Sequence, residues 1–284
     1  MPTREHFQID NTDFQLVREV VYKHCGISLG EDKRALVQAR VARQVRLGGF
    51  NTASEYLESV LSKHGSREFV EFIDAISTNL TSFFRESDHF KYLLRTELPR
   101  LIAKKQSSGD GRILAWSAAC SSGEEPYSLT MTLLDAIGRV KPGRTPWDLR
   151  VLATDISTKM VATARAGIYE ESKLATVPLA YRDRFFTASG HPGRRSVVAG
   201  LRNIVRFRHL NLMDQWPFKG PFDFIFCRNV MIYFDKETQQ RLVARFASVL
   251  AKDGLLFTGH SESLSGTAHR FANRAPAVYQ VTAA

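Results

Sequence analysis

Short apolar runs alternate with helical segments along residues 113–259, and this alternation limits the fold more than any other feature of the chain. Runs of four to six apolar residues with helices between them are typical of a parallel sheet covered on both faces. We therefore predict an α/β fold with a mostly parallel sheet. Ligands of such sheets bind beyond the carboxyl ends of the strands, so the residues that directly follow a strand are candidates for a functional site. The runs are ILAWS (113–117), VLATD (151–155), FDFIFC (222–227) and GLLFTG (254–259), with helices predicted at 126–138, 157–166 and 236–251.

The first 80 residues differ from this pattern and predict a separate helical domain. Apolar residues at a spacing of three and four over 33–47 indicate an amphipathic helix. Its predicted apolar positions are Leu36, Val37, Val41, Val45 and Leu47, and its basic stripe consists of Arg40, Arg43 and Arg46. Residues 184–210 interrupt the alternation with short, arginine-rich β-type runs, which predict a small antiparallel insert. The predicted domains are residues 1–80 and 81–284, with the insert inside the second.

The balance of charge is basic. The 284 residues include 39 Lys and Arg against 29 Asp and Glu, a formal net charge of +10. This excess is compatible with a nucleic-acid, membrane or acidic-protein partner, and equally with solubility alone. No apolar run approaches the roughly 20 residues that span a bilayer, and the first ten residues lack the apolar core of a secretory signal. Three widely spaced cysteines, and eight histidines without metal-ligand spacing, predict reduced thiols, no metal site and a cytoplasmic protein.

The loop after the first strand contains two acids where a phosphate-binding loop would contain glycines. Gly123 is followed by Glu124, Glu125 and Pro126, and carboxylates at a helix N-terminus repel a phosphate. The pattern suits a cationic, phosphate-free ligand such as S-adenosylmethionine. The alternative is that both acids only interact favourably with the helix dipole.

Polar residues also follow the later strands. Asp155 is placed to accept hydrogen bonds from both ribose hydroxyls of a nucleoside, or it caps the next helix. Asn211 and Leu212 suit the two sides of an adenine ring, or form an ordinary turn. A polar group that directly follows six apolar residues indicates a site, although a surface loop is the alternative. That group consists of Arg228, Asn229 and Tyr233.

Five motifs, taken together and in order, resemble the bacterial chemotaxis receptor methyltransferases, the CheR family. The motifs are TNLTSFFRE (78–86), SAACSSGEEPYSL (117–129), ATDIS (153–157), HLNL (209–212) and FDFIFCRNVMIYF (222–234). The resemblance implies a helical N-terminal domain followed by a class I methyltransferase domain, which is a Rossmann-like, mostly parallel sheet with a small β insert. It also implies methyl transfer from S-adenosylmethionine to glutamate side chains of transmembrane chemoreceptors. The products are a glutamate γ-methyl ester and S-adenosylhomocysteine.

By motif position, the resemblance also implies which residues act. The cofactor contacts would be Asn79, Thr81, Arg85, Glu125, Asp155, Asn211, Leu212, Arg228 and Asn229. A glutamate nucleophile is already ionised at neutral pH, so no strong general base is required. Arg85 is the first candidate for holding the acceptor carboxylate and Arg228 the second. Tyr233 would orient the methyl group or the carboxylate through its hydroxyl.

Two basic elements are predicted to contact the receptor. The arginine stripe of the 33–47 helix would meet the receptor's methylation helices and speed association. Arg194 and Arg195 in the insert would pair with acidic groups of a receptor C-terminal peptide bound by strand addition, an interaction that only some family members make.

Two other function classes fit the sequence less well. A nucleic-acid methyltransferase is disfavoured because RNVMIYF replaces the Asn/Asp-Pro-Pro-aromatic motif of base-methylating enzymes, and because the basic elements lack interleaved aromatic residues. A non-catalytic cofactor sensor is disfavoured by the full set of polar residues at the strand ends. We therefore expect a monomer that neither binds nucleic acid nor inserts into a membrane.

Overall fold

A computed structural model of the chain describes residues 9–63, 66–140, 146–265 and 269–282. Its helices are α1 (Asn11–Cys25), α2 (Arg34–Gly48), α3 (Ala53–Leu61), α4 (Arg67–Ile76), α5 (Asp88–Tyr92), α6 (Leu98–Ser108), α7 (Glu124–Gly138), α8 (Thr158–Ala166), α9 (Leu179–Phe185), α10 (Ala199–Arg202) and α11 (Lys236–Val249). Its strands are β1 (Arg112–Ala118), β2 (Asp148–Asp155), β3 (Ile168–Glu170), β4 (Phe186–Ala188), β5 (Arg194–Val197), β6 (Val205–His209), β7 (Phe222–Phe226), β8 (Leu250–Phe257), β9 (Phe271–Ala275) and β10 (Val278–Val281). Within the described ranges, no helix is both long enough and apolar enough to cross a membrane.

Helices α1 to α4 enclose a hydrophobic core of their own. In α2, Val37, Val41 and Val45 recur every fourth residue and are all buried, because residues four apart lie on one face of a helix. Leu36 and Leu47 were predicted on the same face but are 39% and 71% exposed. The buried face of α2 is therefore narrower than the sequence pattern indicated.

A widened helical turn separates α5 from α6. Residues Leu93–Glu97 adopt a π-helical turn, and Pro99 lies in the first turn of α6. Proline has no N–H to donate to the preceding turn, so a wider turn just before it keeps the chain helical. The chain therefore changes its helical pitch before Pro99 and does not break.

The main sheet has the order β6-β2-β1-β7-β8-β10-β9. Strands β6, β2, β1, β7 and β8 pair in parallel, whereas β10 is antiparallel to both of its neighbours. The predicted α/β fold with a mostly parallel sheet is confirmed. The strand order reverses between β1 and β7, and a crevice for ligands is expected at that point.

The small antiparallel sheet has the order β3-β5-β4. The insert was predicted over residues 184–210, but the first strand of this sheet, β3, lies before residue 184. At the other end of the predicted insert, β6 belongs to the main sheet. The segment 199–202 is the short helix α10 and not part of a strand. Because β5 is the central strand, the free edges of this sheet belong to β3 and β4.

Candidate active site

A cavity of about 320 Å³ lies at the carboxyl ends of β1, β2 and β7. The loops 119–121, 155–156 and 228–230 form its floor, and segments 27–36 and 76–81 of the helical domain cover it. This is the crevice expected where the strand order reverses. Both domains are needed to enclose the cavity.

Direct hydrogen bonds hold the helical domain on the loops of the sheet. The Asp74 carboxylate at the end of α4 accepts from the backbone N–H groups of Thr158 and Lys159 at 3.1 and 3.2 Å. It therefore binds the free donors at the N-terminus of α8. The N–H of Ser28 donates to the Tyr233 carbonyl at 2.7 Å. The cover is thus fixed to the loops that follow β2 and β7.

The loop after β1 requires glycine at position 123. Gly123 has φ +96°, and a Cβ there would lie 2.8 Å from Ala164 Cβ and 2.8 Å from the Tyr169 hydroxyl. Glu124 is fully buried and turned away from the cavity, since its carboxylate binds Lys173 Nζ at 2.9 Å and the Ser122 hydroxyl at 2.6 Å. Of the two acids in this loop, only Glu125 lines the cavity.

Asp155 is a buried carboxylate at the cavity edge. It accepts from the N–H groups of Ser121 at 2.7 Å and Ser157 at 2.8 Å. Burial raises the pKa of Asp155 to about 6, although these two hydrogen bonds oppose the shift. The cap of α8 is Ser157, whose hydroxyl accepts from the Met160 N–H. The alternative role of Asp155 as the helix cap is therefore wrong, and its carboxylate is available to a ligand.

The buried Arg228 is the centre of a charge triad with the partly buried Glu86 and Glu125. Its Nη1 lies 3.1 Å from Glu125 Oε2 and its Nη2 lies 3.0 Å from Glu86 Oε2. Nη2 also donates to the Arg85 carbonyl. Only 2% of the Arg228 side chain is exposed. Each Nη atom thus binds a carboxylate, so Arg228 holds the walls of the cavity in place. The Arg228 Nε has no partner among the described residues, and Arg228 lines the cavity, so its role as second candidate for the acceptor carboxylate stays a prediction.

Burial has the largest influence on the pKa of each acid of the triad, but the net shift is upward for Glu125 and downward for Glu86. Burial raises the pKa of Glu125 in spite of Arg228 and the hydrogen bond from the Ser117 hydroxyl. For Glu86, burial also acts upward, but Arg228, Asn229 and the His260 N–H together hold its pKa below the ordinary value. Glu86 is therefore the firmly ionised partner of Arg228, and Glu125 is the acid that a cationic ligand would stabilise as a carboxylate.

A second buried acid, Glu262, shapes the loop after β7. Its carboxylate accepts from the N–H groups of Asn229 (2.8 Å), Val230 (2.7 Å), Ile232 (3.2 Å) and Gly259 (2.5 Å). These bonds support the left-handed backbone of Asn229, which has φ +57°. Sequence reasoning missed both Glu86 and Glu262. Glu86 directly follows Arg85 in the first motif, whereas Glu262 stands in a loop without a periodic pattern.

The remaining predicted cofactor and catalytic residues divide into two groups. Asn79, Thr81, Arg85 and Tyr233 line the main cavity, and Arg85 Nη1 donates to the Leu80 carbonyl at 2.8 Å. Asn211 and Leu212 instead line an adjoining cavity of about 60 Å³. The Asn211 amide donates to the His24 carbonyl at 2.6 Å and accepts from the Met213 N–H at 3.0 Å. Its side chain therefore joins the two domains, which sequence reasoning did not predict.

The two predicted receptor-binding elements are partly used inside the molecule. Arg40 is half-buried and donates to the Ile76 carbonyl and to the Thr78 hydroxyl. Burial lowers the pKa of Arg40. Arg43 and Arg46 are exposed, so the stripe presents two arginines to solvent.

In the small sheet, Arg194 and Arg195 are both exposed and lie on the central strand β5. Arg195 Nε pairs with Glu171 at 2.7 Å. Their position on β5 removes them from the two edges at which a peptide strand can be added.

Comparison with known proteins gives matches over most of the chain. Residues 79–279 match the family described as "CheR methyltransferase, SAM binding domain", and residues 12–77 match "CheR methyltransferase, all-alpha domain". A probable chemotaxis protein methyltransferase of Rhizobium etli is 43% identical over 266 residues, which cover 93% of this chain and 97% of that protein. The chemotaxis protein methyltransferase of Salmonella typhimurium is 40% identical over 281 residues, covering 98% of this chain and 93% of its own.

Proposed function

The chain belongs to the CheR methyltransferase family, and from this premise we propose that it methylates glutamate side chains of chemotaxis receptors with S-adenosylmethionine. The products are glutamate γ-methyl esters and S-adenosylhomocysteine. The activity class is S-adenosylmethionine-dependent methyl transfer. The cavity between the two domains is its proposed site.

One observation carries this proposal. Two carboxylates, the buried Asp155 and the largely buried Glu125, line a cavity at the switch point of a parallel sheet. Glu125 belongs to the loop in which Gly123 is followed by acids. A phosphate would meet repulsion there, whereas a nucleoside that carries a sulfonium and an ammonium group would meet complementary charge. The residues present therefore fit S-adenosylmethionine.

Each carboxylate has free capacity for a ligand. Each Asp155 oxygen accepts one protein N–H, and a carboxylate oxygen has two lone pairs, so both ribose hydroxyls can be accommodated. Glu125 has the same spare capacity and would accept from the ammonium group. Apolar side chains of the cavity, among them Ile27, Leu29 and Ile156, would cover the adenine.

S-adenosylmethionine supplies an electrophilic methyl group when it is bound. The acceptor glutamate has an unperturbed pKa near ~4.3, so it enters the cavity as a carboxylate and needs no strong base. Arg85 lines the cavity with a half-buried guanidinium, one end of which donates to the Leu80 carbonyl. Its other donors would hold the acceptor carboxylate, and Tyr233, which lines the same cavity, would orient it.

Receptor docking is proposed on two surfaces. Arg43 and Arg46 would speed the approach of an acidic receptor helix to the cavity cover, since exposed charges act chiefly on association rate. A receptor tail peptide would add to the free edge of β3 or β4 in the small sheet. The cavity is completed by the two domains of one chain, so a monomer suffices for the reaction.

The R43E/R46E double variant tests the first surface. We expect slower receptor methylation at low salt and an unchanged affinity for S-adenosylhomocysteine. An exposed cation elsewhere, Arg206 in β6, provides the matched control R206E. Equal methylation rates for wild type and R43E/R46E would contradict the role of these arginines.

Transfer of tritiated methyl groups tests the proposed activity itself. The expected product on receptor-containing membranes is base-labile and releases labelled methanol, which is characteristic of a carboxyl ester. Label that enters DNA or RNA, or a base-stable protein product, would contradict the proposal.

A further inference from the structure

Beside the cavity, on the far side of Arg228, two histidines and a glutamate converge. We propose that these three side chains, Glu86, His89 and His260, bind one transition-metal dication of the zinc class. Together they form the His–Glu cluster. The inference goes beyond methyl transfer and depends on the geometry of this cluster.

The spacing of the cluster matches metal coordination better than hydrogen bonding. One ligand atom from each of the three side chains lies within 4.8 Å of the other two. His89 Nδ1 is 3.6 Å from Glu86 Oε2, which is too long for a hydrogen bond. Two ligands of a tetrahedral zinc ion, each about 2.1 Å from the metal, lie about 3.4 Å apart. The buried pair is therefore already close to a zinc ligand spacing.

His89 independently indicates that something is bound there. Its side chain is buried, with 1% of the residue exposed, and neither ring nitrogen has a hydrogen-bond partner of good geometry among the described residues, although the backbone of Pro276 lies near the ring. A buried polar group without a partner destabilises the fold, and a bound water or ion is the usual way to satisfy it. A buried imidazole whose two nitrogens lack good hydrogen bonds has a lone pair that a metal ion can use.

Glu86 has capacity left for a metal despite its other partners. It accepts from Arg228 Nη2 at 3.0 Å, from Asn229 Nδ2 at 3.2 Å and from the His260 N–H at 3.3 Å. A carboxylate offers about four lone-pair sites, and the one left free is on Oε1; a metal on Oε2, the oxygen nearest His89, would replace the long hydrogen bond from the His260 N–H. With both carboxylates ionised, the triad of Glu86, Arg228 and Glu125 carries one net negative charge, Arg228 included, and this net charge favours a nearby cation.

His260 provides access for the metal. It is exposed, and its ring packs edge-on against His89 with centroids 4.7 Å apart. A zinc ion bound by a buried imidazole, a carboxylate and a solvent-facing imidazole would have a fourth position open to water. His89 and His260 belong to segments far apart in sequence, so no metal-binding motif in the sequence could predict the site.

Titration of the untagged chain with ZnCl₂ in a non-chelating buffer tests the site. We expect one zinc ion per chain and, with CoCl₂, the visible d–d absorption of nitrogen-ligated Co²⁺. The variant H260Q changes an exposed side chain and should bind zinc at least tenfold more weakly. The matched control H191Q removes an exposed histidine from the turn before β5 and should bind zinc like the wild type. The absence of stoichiometric binding, or equal affinity in wild type and H260Q, would overturn the proposal.

A second readout tests coupling to the cavity. A dication on Glu86 competes with Arg228 for that carboxylate, so zinc should weaken S-adenosylhomocysteine binding several-fold in the wild type and not in H260Q. An equal effect of zinc in both proteins, or none in the wild type, would overturn the coupling. This measurement depends on the proposed cofactor site, whereas zinc binding itself does not. A failure of the zinc proposal can therefore be distinguished from a failure of the proposed cofactor site.

Discussion

Cofactor affinity should fall in mildly acidic solution, because Asp155 must be ionised to accept hydrogen bonds from both ribose hydroxyls. Burial raises the pKa of Asp155 to about 6, whereas an unperturbed aspartate would stay ionised down to about pH 4. The carboxyl group is therefore mostly ionised at pH 7 and mostly protonated at pH 5. The cavity should lose affinity over a range in which an exposed aspartate would have no effect.

The magnitude follows from the ionised fraction. With a pKa of about 6, roughly nine-tenths of Asp155 is ionised at pH 7 and roughly one-tenth at pH 5. If only the ionised form binds, the dissociation constant of S-adenosylhomocysteine rises about tenfold between these values, or about 1.4 kcal/mol.

Folding stability changes in the opposite direction. A carboxyl group with a raised pKa binds more protons in the folded than in the unfolded state between pH 4 and 6. Its contribution therefore lowers the free energy of unfolding as pH rises through that range. Weaker binding at pH 5 cannot then be attributed to acid unfolding caused by this group.

Isothermal titration calorimetry from pH 5 to pH 8 measures the effect, with D155N as the comparison. The variant should bind weakly and show little dependence on pH. Burial also raises the pKa of Glu125, so any slope that remains in D155N reports that group. Constant affinity in the wild type, or an equally steep fall in D155N, would refute the assignment of Asp155.

Three further predictions concern single residues. R85A should lower kcat for receptor methylation about 10- to 100-fold at saturating S-adenosylmethionine, and an unchanged kcat in rapid-quench assays would argue against an orienting role. G123A should lower the free energy of unfolding by about 1–3 kcal/mol, because the added Cβ meets neighbours at 2.8 Å in a left-handed backbone. Its control is G200A, where a Cβ meets nothing within 4 Å, and equal melting of the two would contradict this reasoning. E262Q should lower the free energy of unfolding by about 1–3 kcal/mol, because an amide NH₂ would face backbone N–H donors. Wild-type stability of E262Q in chemical denaturation would refute this prediction.

The sheet was predictable from sequence because its signal is local. Apolar runs such as 224–227 are continuous, since both faces of a parallel strand are covered. The ends of those runs then located Asp155 and Arg228 without knowledge of the packing. The same reasoning failed for Leu36 and Leu47. Helical periodicity shows which side of α2 faces the core, but it does not show how much of that side the neighbouring helices cover.

Side-chain partners distant in sequence could not be predicted. The Asn211 amide is occupied by a carbonyl 187 residues away, and Arg228 is held by a carboxylate 142 residues away. Arg40 looked like part of a solvated stripe, but the end of α4 lies against it. Only the folded chain reveals which polar groups are already satisfied.

A crystal structure with S-adenosylhomocysteine tests the central claim most directly, since it places the nucleoside relative to the strand ends. We predict the ribose hydroxyls within hydrogen-bond distance of the Asp155 carboxylate, and the amino group beside Glu125. A ligand bound elsewhere, or one whose ribose makes no contact with Asp155, would contradict the account.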